Sequence, residues 1–438
     1  MSASDPAALT YRRMWADLGM NLELHDQMLE AIERVHRTTH LARRNRPLAM
    51  SEFDAALHGA HGSRVAEIIE HRRRGGKSIG TFCIYVPDEI ALAAGVIPMP
   101  LCGGTGWSVD YADKMFPRDI CPLVRSTFGL AFSGTCPYKT LKEFALGETT
   151  CDAKKKAWDL LGFPSLEVPQ KKTDIDRELW RSEVRRFARE MEKLAGRPIE
   201  KEALARSVRK VNDRRRVLQR INGYRMLAEP PISGLDALLV SQTALSMDID
   251  AFLAAAGRLE KELESRAVKG VSAYEKPGPR ILYAGSPSPL GYSKLHYVAE
   301  TSGLRIVADE SCTGSRYYRD LVDEGSGDLD SMYDAIADRY FAIDCACFSP
   351  NSERFDNVRR MAGEFGVSGI LHGVLQYCHG YDIESRALDK AIADLSIPSL
   401  KIVTDYSEQD IEQIRVRIET FRELVEHGEK RQTAGSGV

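Results

Sequence analysis

Ser78-Ile79-Gly80-Thr81-Phe82-Cys83-Ile84-Tyr85-Val86, Pro87-Asp88-Glu89 and Val96-Ile97-Pro98-Met99-Pro100-Leu101 together decide the fold. The first run is apolar and β-prone, so it reads as a buried strand. The second opens a short apolar helix that ends at Gly95, and the third reads as another strand. Strand, helix, strand in so short a span is the unit of a parallel sheet. Further on the alternation is regular. Strands are expected at 280–284, 304–308, 369–377 and 399–404, with helices at 292–301, 352–365, 383–395 and 408–425. Two more helices are expected at Cys121–Phe132 and Cys151–Leu161. The fold class is therefore α/β, with two doubly wound, Rossmann- or flavodoxin-like domains at 76–175 and 276–428. Apolar residues recur at helical spacing through Met14, Leu18, Leu22, Met28, Ile32 and Val35, so 1–75 reads as a helical segment. An Arg- and Glu-rich helical bridge fills 176–275, with breaks near Gly196-Arg197-Pro198 and Glu229-Pro230-Pro231. Residues 429–438 read as a disordered tail.

The 438 residues are enough for two or three cores, and 60 basic against 63 acidic residues leave a net charge of −3. That balance argues against nucleic acid or a membrane surface as the partner. The sequence shows neither a long uncharged apolar run nor a signal peptide, which points to a cytoplasmic protein.

Nine cysteines are present, an odd number at spacings too wide for a disulfide scaffold. Four of them, Cys121, Cys151, Cys312 and Cys378, stand where a helix is expected to start. Cys345 and Cys347 form a Cys-x-Cys before Phe348-Ser349-Pro350-Asn351. A thiol at a helix N-terminus faces unpaired N–H groups and the positive end of the dipole, which favours the thiolate. Thiolates suit iron and zinc. Zinc sites usually show closely paired knuckles, and here the only close pair is Cys345/Cys347. Iron–sulfur clusters accept thiolates gathered from distant loops, and a domain cleft would gather them. Cys83 reads as a strand-core thiol, and Cys102 and Cys136 as loop thiols outside this set.

Gly75-Gly76-Lys77-Ser78 is no phosphate loop, because it precedes its strand and lacks the first glycine. Gly285-Ser286-Pro287-Ser288-Pro289-Leu290-Gly291 reads as a tight strand-to-helix turn. His379, at the end of a strand, is the candidate proton donor, whereas His372 reads as a satisfied core residue. Arg118, Arg125 and Arg316 flank the thiols and are candidates for balancing their charge or holding an anionic substrate. Lys154-Lys155-Lys156, Arg72-Arg73-Arg74 and the run Arg209 to Arg216 read as solvated faces, with docking of an acidic electron donor as the functional alternative.

Several motifs carry a resemblance. Tyr85-Val86-Pro87-Asp88-Glu89-Ile90, Ala94-Gly95-Val96-Ile97-Pro98, Arg118-Asp119-Ile120-Cys121-Pro122-Leu123 and Thr149-Thr150-Cys151-Asp152 resemble the 2-hydroxyacyl-CoA dehydratase and benzoyl-CoA reductase superfamily. The resemblance spans about residues 77–425 and implies that Cys121, Cys151 and Cys378 hold a [4Fe–4S] cluster. Glu310-Ser311-Cys312-Thr313-Gly314, Asp344-Cys345-Ala346-Cys347 and Gln376-Tyr377-Cys378-His379 resemble the narrower double-cubane branch. That likeness implies an [8Fe–9S] cluster, with Cys312, Cys345 and Cys347 on a second cubane. It also implies a homodimer, a separate ATP-hydrolysing [4Fe–4S] reductase as partner, and low-potential reduction of small molecules. An acyl-CoA dehydratase or aryl-CoA reductase subunit with one [4Fe–4S] cluster is the alternative enzyme, and an iron–sulfur electron carrier the non-catalytic one.

Overall fold

The computed structural model describes residues 6–325 and 327–435. Two four-stranded sheets organise it, and every strand pairing is parallel. The first contains β1 (Lys77–Thr81), β2 (Val96–Pro100), β3 (Ala145–Glu148) and β4 (Ser165–Leu166), in the order β2-β1-β3-β4. The second contains β5 (Arg280–Gly285), β6 (Arg305–Asp309), β7 (Gly369–Leu375) and β8 (Ser399–Thr404), in the order β6-β5-β7-β8. The order reverses beside the first strand of each sheet, and in such folds the crevice beyond the strand ends binds ligands.

The strand expected over Ser78–Val86 ends at Thr81. Phe82–Val86 leaves the sheet, yet Tyr85 and Val86 stay buried. Tyr85 instead donates its hydroxyl to Ile343 O in the second half of the chain, at 3.3 Å. An apolar run is equally buried in a sheet or between domains, so its composition did not mark where pairing stops. Strands β3 and β4 and the helix Leu329–Phe341 carry no comparable signal: Ala145-Leu146-Gly147-Glu148 has little β-propensity.

The bridge comprises the helices Asp174–Ala195, Lys201–Gly223, Gly234–Ala244 and Ile249–Val268. Gly196 ends the first with φ +69°, and Asp248 caps the last through Asp250 N and Ala251 N. The Arg209–Arg216 run is a solvated face only in part: Arg209 is exposed, but Arg214 and Arg215 point inward. Arg214 pairs with Asp88, and Arg215 stands 2.6 Å from Glu89 with both side chains fully buried. Tyr340 donates to Glu89 Oε2 at 2.8 Å and accepts from Arg215 at 3.1 Å. Helical spacing cannot show which arginines meet a carboxylate from another element.

The cores do not respect the sheet boundaries. One joins Ile79, Ile90 and Leu166 to Trp180 and Phe187 of the bridge and to Ile336 and Phe341 of the second half. Another joins Leu123, Phe128 and Trp158 to Tyr292, Leu375 and Tyr406. The halves approach closely where glycine stands: a Cβ on Gly106 would lie 2.6 Å from Tyr406 O, and one on Gly104 2.9 Å from Leu290 O. The N-terminal helices Pro6–Asp17, Leu22–His36, Met50–Gly59 and Ser63–Arg73 pack partly on the bridge, through Met50, Phe53 and Leu57. The last helix, Ile411–Gly435, is helical through most of the expected tail, and 436–438 lie outside the described residues.

Burial works to raise the Glu89 carboxyl, but the charges of Arg215 and Arg339, with hydrogen bonds from its own backbone and from Tyr340, together outweigh it and hold the group below its usual value. This contribution to stability is therefore present at neutral pH and fades as pH falls through the folded-state value. Glu89→Ala leaves Arg215 buried without its partner. We expect a loss of about 3–5 kcal/mol, measured as a lower urea midpoint at pH 7, with a smaller loss at acid pH.

Candidate functional site

The six thiols fall into two neighbourhoods of three, although among the described residues no three His, Cys, Asp or Glu side chains stand together as a ready site for a metal ion. Cys121 caps the helix Pro122–Phe132, Cys151 caps Asp152–Leu161 and Cys378 caps His379–Ala391. Cys121 and Cys378 are in hydrogen-bonding contact, and Cys151 is near enough for its charge to be felt at both. The Cys378 thiol donates to Cys121 and, with the N–H groups of Leu123 and Val124, draws Cys121 below the usual thiol value against its burial. The same contact pushes Cys378 up.

Two residues hold this meeting together. Tyr377 takes φ +59° at the end of β7, a left-handed backbone that is uncommon outside glycine. It turns the chain between the strand and Cys378. Its hydroxyl donates to Asp119 Oδ1 at 3.0 Å, two residues before Cys121. Nearby, Tyr406 and Tyr292 pack at 4.7 Å between ring centres, and both hydroxyls are buried with no partner. An orphaned buried hydroxyl costs about 1–3 kcal/mol. Tyr406 lies close enough to Cys121 to feel its charge.

Cys312, Cys345 and Cys347 form the second trio. Cys312 is not itself a cap: it precedes the four-residue helix Ser315–Tyr318, whose cap is Gly314. Cys345 and Cys347 are in contact, with Cys347 donating, which brings Cys345 down to about 6 and pushes Cys347 up. Tyr381 links the trio, its hydroxyl 4.0 Å from Cys312 Sγ and 3.7 Å from Cys345 Sγ. Arg316 donates to that hydroxyl, and its Nη1 lies 3.6 Å from Cys312 Sγ. The Arg316 side chain is fully buried between Glu310 and Asp344. Arg354 donates to Glu310 at 3.0 and 3.1 Å, and both guanidinium groups lie about 5 Å from the Tyr381 ring centre. Burial raises Cys312 to about 11, with the Arg316 charge acting the other way.

The other sequence candidates fall elsewhere. Arg118 is exposed and pairs with Asp113 at 2.8 Å, and Arg125 pairs with the same carboxylate at 2.5 Å. His379 is exposed at the start of its helix. His372 is a satisfied core residue, 3.1 Å from Asp389.

A cavity of about 350 Å³ lies between the N-terminal helices and the crevice. Cys312 is the one thiol of the two trios on its wall. Cys83 and Cys102 are there too; Cys83 sits past the end of β1, not within a strand. Lys154 also lines the cavity, paired with the fully buried Glu148, so it is no solvated-face lysine. It stands one helical turn after Cys151, and that spacing was the available signal. The turn after β5 contributes Pro287, Pro289 and Leu290, pinned by Gln242, which donates to the carbonyls of Ser288, Pro289 and Tyr292 at 2.8–2.9 Å. No helix among the described residues is long and apolar enough to cross a membrane.

A family model described as "2-hydroxyglutaryl-CoA dehydratase, D-component" matches residues 83–425. The "Putative dehydratase subunit YjiM" of Escherichia coli (strain K12) is 33% identical over 370 residues, covering 82% of this chain and 94% of that protein. The "(R)-phenyllactyl-CoA dehydratase beta subunit" of Clostridium sporogenes is 25% identical, with 82% and 94% covered. One of the benzoyl-CoA reductase subunits of Thauera aromatica is 24% identical, with 80% and 91% covered. The chain belongs to the 2-hydroxyglutaryl-CoA dehydratase D-component family.

Proposed function

We propose that the chain is an iron–sulfur reductase component that holds a double-cubane [8Fe–9S] cluster and reduces small molecules. The observation that carries this is the second trio. One [4Fe–4S] group needs Cys121, Cys151 and Cys378 and leaves Cys312, Cys345 and Cys347 unexplained. Three thiolates for each of two linked cubanes use all six. When bound, such a cluster supplies electrons singly at low potential. In this reading the electrons come from a separate ATP-hydrolysing [4Fe–4S] reductase, in the cytoplasm, and the chain works as a homodimer.

The residues present suit such a group. Thiols at helix starts lie beside N–H groups that would hydrogen-bond its sulfurs and tune it. The orphaned Tyr406 hydroxyl beside Cys121 is a donor in need of an acceptor. Arg316 and Tyr381 bring positive charge and a hydroxyl to Cys312 and Cys345, which favours their thiolates. Cys312 would present its side of the group to the cavity, part of whose wall is the apolar Pro287, Pro289 and Leu290 turn.

The alternative is an acyl-CoA dehydratase or aryl-CoA reductase subunit with one [4Fe–4S] cluster. The names of the relatives favour it. The charged residues of the cavity wall are largely paired within the chain, Asp26 with Arg12, Asp88 with Arg214 and Lys154 with Glu148. A CoA ester carries phosphates, which a basic rim would recognise.

Anaerobic purification followed by iron and sulfide analysis separates the two readings. We expect about eight irons per chain; about four would establish the alternative. Cys312→Ala should lose at least half of the iron together with substrate reduction. Full iron content in that variant would remove Cys312 from the ligand set.

A further inference from the structure

Five of the ten histidines fall between residues 25 and 61, in the helices that close the cavity. Two of them stand in line with a carboxylate. Arg46 donates to Asp54 through both terminal nitrogens, at 3.0 and 2.9 Å, and to Asp236 at 2.8 Å. Asp54 Oδ1 lies 2.9 Å from His36 Nε2, and His36 Nδ1 lies 3.0 Å from His58 Nε2. Asp54 and His58 are four residues apart on the helix Met50–Gly59, so both reach the same neighbour. His58 lines the cavity that Cys312 also lines.

The line has a direction. Burial raises the Asp54 carboxyl, but hydrogen bonds from His36 and Arg46 outweigh it and bring the group down to about 2. Asp54 is therefore a fixed anion behind His36. His40 packs on His36 at 5.1 Å between ring centres, and burial takes it down to about 3, so it stays neutral. Burial, and then the charge of His36, hold His58 below the ordinary imidazole value, while Glu33 and Asp54 act the other way. Arg37, paired with Glu33, and Arg43, paired with Glu300, complete the charged surroundings. The second histidine pair, His25 and His61 at 3.0 Å, is different in kind. Burial brings its members to about 4 and about 3, and the charges of Arg12 on His25 and of His25 on His61 push the same way.

We propose that His58 is a catalytic residue that donates protons to substrate in the cavity, and that His36, positioned by Asp54 and Arg46, resupplies it. The assignment rests on the cavity being where substrate is reduced. Before transfer, His36 carries protons on both nitrogens and His58 carries one on Nδ1. His58 Nδ1–H passes to substrate while His36 Nδ1–H passes to His58 Nε2. Afterwards both rings are neutral, His36 donates to Asp54, and one proton has left the chain. Hydronium from solvent entering between turnovers protonates His58 Nδ1 and leaves as water, while His58 Nε2–H returns to His36 Nδ1. Reducing acetylene to ethylene takes two electrons from the partner reductase and two such protons.

The test uses iron-loaded protein supplied with electrons by its partner reductase, with acetylene as probe. His58→Ala is expected to lower turnover about a hundredfold, within the range of general-acid catalysis, at unchanged iron content. Added imidazole should restore part of the rate, and more at lower pH. Asp54→Asn removes an anion that acts to raise His58, so the alkaline limb of the pH–rate profile should move to lower pH. Wild-type turnover in His58→Ala, or a reduced rate with neither rescue nor a shifted profile, would overturn the assignment. The linkage is also read without turnover. In histidine-labelled wild-type protein, nitrogen NMR should show His36 and His58 titrating as a coupled pair, with both resonances moved by Asp54→Asn. Two independent titrations would overturn the relay whatever the iron count, whereas the iron count alone decides the cofactor.

Discussion

Arg316 is a charge buried in the protein with nowhere else to go, and the second thiol trio is arranged around it. Its burial is tolerable only because Glu310 and Asp344 flank it. Those carboxylates are held in turn: Glu310 by Arg354, and Asp344 by Arg319 at 2.6 Å and by Asn357 at 2.5 Å. The network joins the turn after β6, the loop carrying Cys345 and the helix that starts after Cys378. Each segment bears a thiol or the Tyr381 hydroxyl. The same ion pairs that neutralise a buried guanidinium thus set the spacing of Cys312, Cys345 and Tyr381.

The first trio depends on a different constraint, the approach of the two sheets. Cys121 and Cys151 belong to the first sheet's helices, and Cys378 to the second sheet's. The bare backbones at Gly104 and Gly106 let the halves meet, and the Tyr377 hydroxyl on Asp119 fixes the register of that meeting. Shared apolar cores then hold the interface. A cleft built this way is stiff on the side of the thiols. The N-terminal helices close its other side and add the histidines.

Much of this was legible locally. A cysteine before a helix is a local pattern, and Cys121, Cys151 and Cys378 are indeed helix caps. The alternation of strands and helices in the last third also stands, with ends moved by a few residues. What escaped was tertiary. Arg214 and Arg215 look like neighbours on a charged face until Asp88 and Glu89 arrive from another element. Lys154 looks like one lysine of three, and only the helix orientation turns it toward Glu148. The histidines of the first helices have no motif, since His36 meets Asp54 and His58 across a turn that spacing alone does not specify. His379 is conspicuous because it adjoins a thiol, and it is exposed, whereas His58 and His61 line the cavity.

The composition of the two trios has a consequence for biosynthesis. Cys312, Cys345 and Cys347 are close in sequence and emerge from the ribosome within a short stretch. Cys121 and Cys151 are made well before their third partner, Cys378, which belongs to the second sheet. A group held by the first trio would not be fully ligated until the second sheet has been made and has docked on the first. Under the proposed function, the early thiols would wait in a reduced state and the group would be loaded after the second sheet is in place.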